Sequence, residues 1–334
     1  MTLDLAWNAE QQAIADAVAK LCRDRATRAA VEAAEGRFPR ELWSALAELG
    51  FLALGTPEGG GGALEIVATC EALGAALFPG PVAETFLATH VLDGADRDAI
   101  AAGELVVSVG EPPLMPWAPV ADRFLSAEGW SVRRGRPIGT IEPFDSLGGD
   151  PWGRVQMQPI GEVLPLCDGG LTLHDVGLAA YLAAAGRALV GTAAEHARGR
   201  VQFGKPLGKF QAVAHPLADC AMRLSAAATL ARAAAFHFDR EAWIEARRYG
   251  AAARLSAASA AREAGAVCHQ VFGAIGITLE GPAYRFSRRI EQLAASPVGL
   301  SRARSVNAPV LSAWRDRHPE MAGGDDENEI EDAP

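Results

Sequence analysis

Aromatic residues make up only 7% of this 334-residue chain, and its five cysteines (Cys22, Cys70, Cys167, Cys220 and Cys268) are scattered with no close pair. Isolated thiols of this kind are neither a zinc-ligand pattern nor a disulfide framework, so no metal site is expected and a reducing compartment suits the chain. Positive charge is in deficit: 31 Lys and Arg against 41 Asp and Glu leave a formal net charge of -10, the wrong sign for a nucleic-acid binder. The N-terminus lacks the basic-then-apolar layout of a signal peptide. No stretch stays apolar long enough to span a bilayer without Gly or charge. The expectation is a cytoplasmic protein with neither membrane nor nucleic acid as partner. Part of the negative charge is local, in the acidic segment 323–334, GGDDENEIEDAP, which has no packing face and is expected to stay disordered.

What the chain does have is apolar helix. Hydrophobic residues reach 49%, enough to fill a real core at this length. Asn8 with Gln11 reads as a capping box ahead of a helix carrying Ile14, Val18 and Leu21. Pro39 opens a second helix, closed by Gly50, and a Pro/Gly loop leads into helices at 64–77 and 83–92. Composition changes at Gly103. A strand is expected at 105–109, then a proline cluster, then short strands at 124–125, 130–132 and 155–157. From Leu171 the chain is helical again, with helices expected at 175–200, 209–236, 241–272 and 282–294. The domains read as 1–102, 103–170, 171–318 and the tail 319–334.

One stretch organises the second half. Residues 200–219 read RVQFGKPLGKFQAVAHPLAD, where Gly204, Pro206 and Gly208 break one long helix from the next. Val213, Leu217, Cys220, Leu224, Ala228 and Ala231 then recur at three- and four-residue steps, a core-facing stripe. Arg200 has two readings: a cap on the last carbonyls of its helix, or a planar fork for a phosphate. Gln211 and His215 read as packing or surface residues.

The pattern R-x-Q-F-G-K-P-L-x-x-F-Q-x-V-x-H-x-L-A-D, followed by QVFGAIGITLEGP at 270–282, resembles the C-terminal domain of the acyl-CoA dehydrogenase family. The resemblance implies an α+β, mostly α fold: an N-terminal helical domain, a small and shortened central β domain, and a C-terminal four-helix bundle through which subunits pair. It implies FAD as cofactor, an acyl-CoA substrate and an electron-transferring flavoprotein as the usual acceptor. The family's reaction removes a proton beside the thioester carbonyl and passes a hydride from the next carbon to FAD.

The match is uneven. Arg200, Gln202, Phe203, Gln270 and Gly273 stand where the family reaches across to a neighbouring subunit's FAD, with Ala274 replacing a glycine. Arg288 keeps a family arginine, whereas Arg289 replaces the usual aspartate. The T-E-P-x-x-G-S-D loop is reduced to GEPPL at 110–114, and the tryptophan strand has only Trp130 and Trp152 as candidates. The commoner base position falls on Pro297, which cannot take a proton. The second position, used by isovaleryl-type members, falls at His174, next to Asp175; Asp175 also reads as a residue that caps or begins its helix. Glu195 and Glu280 read as solvated. The resemblance therefore points to the base-lacking subunit of the mixed α2β2 acyl-CoA dehydrogenases of actinomycete steroid degradation. A partner there supplies the catalytic glutamate. Two alternatives remain: a self-sufficient homo-oligomer using Asp175 or His174, and a flavin-free scaffold.

Overall fold

The computed structural model describes residues 5–317. The acidic segment 319–334 lies outside the described residues. Helix α1 (Ala9–Arg25) opens with the expected box: Asn8 Oδ1 accepts from the Gln11 amide at 2.8 Å, and Gln11 Oε1 accepts from the Asn8 amide at 3.1 Å. Helices α2 (Arg28–Ala33) and α3 (Arg40–Glu48) follow, then α4 (Ala63–Ala75), α5 (Val82–Val91) and α6 (Gly94–Ala101). The orphan amides at the start of α4 are satisfied from two sides. Glu65 accepts from Gly62 at 2.7 Å, and Asp239, far along the chain, accepts from Ala63 at 2.6 Å and Leu64 at 3.1 Å. Gln11 donates to Glu65 at 3.0 Å, so the same carboxylate ties α1 to α4.

The middle of the chain forms one five-stranded sheet, in the order β1-β3-β4-β5-β2. Its strands are β1 (Val107–Gly110), β2 (Leu114–Pro116), β3 (Arg123–Glu128), β4 (Ser131–Phe144) and β5 (Trp152–Val163). Strand β1 runs parallel to β3; the other pairings are antiparallel. Strands β4 and β5 are much longer than the short segments expected at 130–132 and 155–157. Gly135, Pro137, Gly139 and Pro143 broke the alternation on which strand recognition depends. The strand tolerates them because its pairing with β3 ends at Gly135, so one edge beyond that point needs no ladder donor, and a register shift falls between Ile138 and Glu142.

Helix α7 (Cys167–Gly199) is the spine. It begins eight residues before the expected start at 175, and its first two turns are buried apart from Asp168. By length and composition it could cross a bilayer, but 78% of its most apolar window is buried inside the protein, where it serves as the core helix. A small hairpin of β6 (Val201–Gln202) and β7 (Lys205–Pro206) leads to α8 (Gln211–Phe238), α9 (Trp243–Phe272), α10 (Pro282–Ala294) and α11 (Leu300–Arg317). The α8 stripe is as read: Leu217, Cys220, Leu224, Ala228 and Ala231 are buried, with Val213 packed against them. Alanine-lined faces let α7, α8 and α9 approach closely, and one apolar core runs from α1 through the bundle to α10.

Candidate functional site

The two sequence motifs meet at one end of the bundle. The His196 ring of α7 lies 5.1 Å from the Phe272 ring of α9, so the turns that follow each helix are neighbours. In the first turn Phe203 (φ 52°) and Gly204 (φ 76°) form the two-residue link between β6 and β7. Positive φ at both positions is the geometry that matches a hairpin's twist, and the glycine carries half of it without a Cβ penalty. Arg200 does not cap its helix with its side chain. Its backbone amide donates to His196, while the guanidinium makes no hydrogen bond or ion pair among the described residues.

Gln202, Gln270, Gly273 and Ala274 are likewise exposed. Gly273 has φ 59° with open space where a Cβ would project, so its backbone can be approached closely. Around these polar groups stand Phe203, 91% exposed, Ile277, 78% exposed, and Leu279, 66% exposed. Gln211 and His215 are exposed on the first turns of α8, and Glu195 and Glu280 are exposed as read.

The candidate base positions converge elsewhere. Pro297 sits in the turn between α10 and α11, two residues before Gly299. A Cβ on Gly299 would lie 2.3 Å from Asp175 Oδ1 and 2.5 Å from Arg302 Nη2, so this turn is pressed onto α7. Asp175 neither caps nor begins a helix: α7 starts at Cys167, and Asp175 is buried in its third turn. Its Oδ2 accepts from Arg302 Nη2 at 2.7 Å. Arg302 also donates to the carbonyls of Gly129 at 3.0 Å and Leu171 at 3.4 Å. Its guanidinium lies 5.0 Å from the Trp130 ring, which Arg247 approaches at 4.6 Å. Trp130 is thus engaged by two cations in the β3–β4 turn, and Trp152 packs edge-on to Phe144, with ring centroids 6.0 Å apart.

His174 is fully buried. Its Nδ1 lies 3.8 Å from Asp175 Oδ1, and neither ring nitrogen has a hydrogen-bond partner among the described residues. Arg254 of α9 is also fully buried, and its Nη2 reaches the carbonyls of Leu293 (3.2 Å), Ala294 (3.5 Å) and Ser296 (3.3 Å). Burial pulls its pKa down to about 10 against the opposing pull of Asp175. Glu111, in the loop after β1, is pushed up by burial and drawn back by Arg302, which puts that loop beside the same cluster.

The arginine at 289 also finds its reason. Arg289 Nη1 donates to Asp150 Oδ1 at 2.7 Å, its Nε to the Tyr181 hydroxyl at 2.8 Å and its Nη2 to the Phe78 carbonyl at 3.3 Å. Gln292 donates to the second Asp150 oxygen at 2.8 Å, and Tyr181 donates to Phe78 at 2.9 Å. This buried network joins α10, α7 and the segment entering β5. Its neighbour Arg288 stays at the surface, donating to the Leu147 carbonyl at 2.7 Å and pairing with Glu35 at 3.3 Å. Sequence reasoning missed Arg254, Arg302 and Asp150. The one available signal was a lone arginine, Arg254, within the Ala-rich run of α9.

Family models match two parts of the chain: the acyl-CoA dehydrogenase N-terminal domain over residues 8–93 and the C-terminal domain over residues 168–295. The acyl-CoA dehydrogenase IpdE2 of Mycobacterium tuberculosis is 33% identical over 86% of this chain and 94% of its own length. FadE34 of the same organism is 33% identical over 75% of this chain and 39% of its own. Among solved structures, the ChsE4-ChsE5 complex of M. tuberculosis superposes with a TM-score of 0.79 at 22% identity, covering 96% of this chain and 100% of that one. The Tcur3481-Tcur3483 steroid acyl-CoA dehydrogenase variant has a TM-score of 0.79 at 20% identity, covering 92% and 99%. The fold is that of an FAD-linked dehydrogenase family built on a helical bundle, and this chain belongs to the acyl-CoA dehydrogenases, oxidoreductases acting on CH–CH bonds.

Proposed function

We propose that this chain is the base-lacking subunit of an FAD-dependent acyl-CoA dehydrogenase of mixed α2β2 type. It contributes contacts to the diphosphate and ADP portion of a flavin held largely by its partner. The observation that carries this reading is the outward-facing end of the bundle. There Arg200, Gln202, Gln270, Ala274 and the open backbone at Gly273 are exposed, rimmed by Phe203. An unengaged guanidinium beside two exposed side-chain amides offers the donors a diphosphate needs, and Gly273, whose own N–H is held by the Gln270 and His269 carbonyls, lets the ligand come close. Apolar side chains around it suit burial against another chain.

The chain's own pocket does not offer the other half. Pro297 holds no proton, His174 is sealed without a partner, and Asp175 is committed to Arg302. The carboxylate that takes the substrate proton therefore comes from the partner. FAD, when bound, supplies the hydride acceptor. The residues of this chain orient the cofactor's charged tail and help exclude water at the interface. The substrate class we assign is an acyl-CoA thioester, with a steroid side-chain CoA as the specific member. The steroid acyl-CoA dehydrogenase among the structural neighbours supports that choice. Electrons would leave through an electron-transferring flavoprotein.

A visible absorption spectrum of the purified chain, alone and after co-expression with a dehydrogenase encoded beside it, tests the reading. A flavin band only in the co-purified complex, weakened by Arg200→Ala, is expected. A flavin band in the lone protein would make the chain self-sufficient, and a complex indifferent to Arg200→Ala would leave it a scaffold.

A further inference from the structure

The two stretches that could carry a base, 174–175 on α7 and 297 in the turn between α10 and α11, press on one another through Gly299. Where they meet, the structure has a buried ion pair between Asp175 and Arg302. Asp175 and Arg302 are 3% and 5% exposed, and their 2.7 Å contact is backed by the Gly129 and Leu171 carbonyls and capped by the Trp130 ring. Arg254 anchors the same turn from behind through three carbonyls, the last of them that of Ser296, immediately before Pro297.

We propose that Asp175 and Arg302 form an ionic plug that closes the proton-abstraction cavity of this chain and clamps the β3–β4 turn onto α7 and α11. Asp175 is then a structural residue with no part in the chemistry, and this chain receives no acyl group of its own. The inference rests on the reading above and deepens it: the chain lacks a base and has also filled the space a base would serve. Arg302 spans the gap because its fork has donors for a carboxylate and two carbonyls at once, which lysine could not match in one plane. Removing one partner strands a buried charge, whereas replacing both by apolar groups of similar bulk does not.

The test uses the co-purified complex and three variants: Asp175→Asn, Arg302→Met and the double Asp175→Leu/Arg302→Met. Each single change should lower the melting temperature by about 5 °C or more. The double change should recover at least half of that loss. In all three, kcat and KM per bound flavin should stay within about twofold. If Asp175 were a general base, kcat would fall about 10²–10⁴-fold in both Asp175 variants whatever the melting temperature did. That result, or single variants with unchanged melting temperature, overturns the plug. Flavin content is read separately: its loss on Arg200→Ala judges the reading above, and its retention in the Asp175 and Arg302 variants keeps the two questions apart.

Discussion

At the scale of single residues, buried charges are held by partners from other elements of the chain. Arg289 is the clearest case. Its guanidinium meets a carboxylate, a phenol and a carbonyl, and the carboxylate in turn takes a second donor from Gln292. Burial alone would favour a neutral Asp150, but the Asp150 contact holds Arg289 firmly charged and makes the pair an ion pair. Arg289→Met would leave Asp150 fully enclosed with no cation, a loss of about 3–5 kcal/mol. Equilibrium urea unfolding should register it as a lower midpoint. Asp150→Asn/Arg289→Met together should lose clearly less, because no uncompensated charge remains. This network was not legible in the sequence. Asp150 and Arg289 are 139 residues apart, and an arginine at 289 reads as an oddity until its partner is in view. The same holds for Asp175 and Arg302, 127 residues apart. Asp175 reads as a helix cap because nothing local shows that α7 continues eight residues further back through Cys167-Asp-Gly-Gly.

At the scale of elements, what the sequence made legible was whatever is decided locally. The Asn8–Gln11 box, the α8 stripe and the turn at Gly204 each depend on residues a few positions apart, and each stands as read. The β4–β5 hairpin escaped because its prolines and glycines speak for turns, and only the one-sided edge beyond Gly135 explains why a strand accepts them. Helix packing supplies a sharp test of the bundle. Gly74 of α4 lies against the backbone of α7: a Cβ there would come 2.2 Å from the Tyr181 carbonyl oxygen and 2.7 Å from its Cα. Backbone cannot rotate away, so Gly74→Ala must push the two helices apart. Gly191, on the same α7, has nothing within 4 Å of its would-be Cβ. There the alanine only gains helix propensity, about 0.5–1 kcal/mol. Thermal unfolding should therefore move in opposite directions for the two substitutions, with Gly191→Ala up and Gly74→Ala down by the larger amount. A neutral Gly74→Ala would mean that α4 and α7 do not approach as described.

At the scale of the whole molecule, polar and apolar groups divide by role. The interior, from α1 to α10, is a continuous alanine- and leucine-lined core; of its few charges, Arg289 and Arg302 pair with carboxylates and Arg254 is held by backbone carbonyls. The end of the bundle that carries Arg200 and Gln270 does the opposite and leaves large apolar side chains in water: Phe203, Ile277, Leu279, Val201 and Ile275 are all more than half exposed. Single exposed apolar residues are ordinary, but five of them on two adjoining turns, around a free arginine, are a surface built to be covered. Covering them buries roughly 1.5–3 kcal/mol per large side chain before the cost of association. Replacing Phe203 and Ile277 together with serine should thus leave the fold intact, since neither contributes to the core, while weakening attachment to the partner. Light scattering on the co-purified complex would report it: the double variant should shift toward free subunits as the sample is diluted, with an unchanged circular dichroism spectrum. An assembly mass indifferent to both substitutions would move the subunit contact to another face of the bundle and separate the flavin-contacting residues from the interface they are proposed to complete.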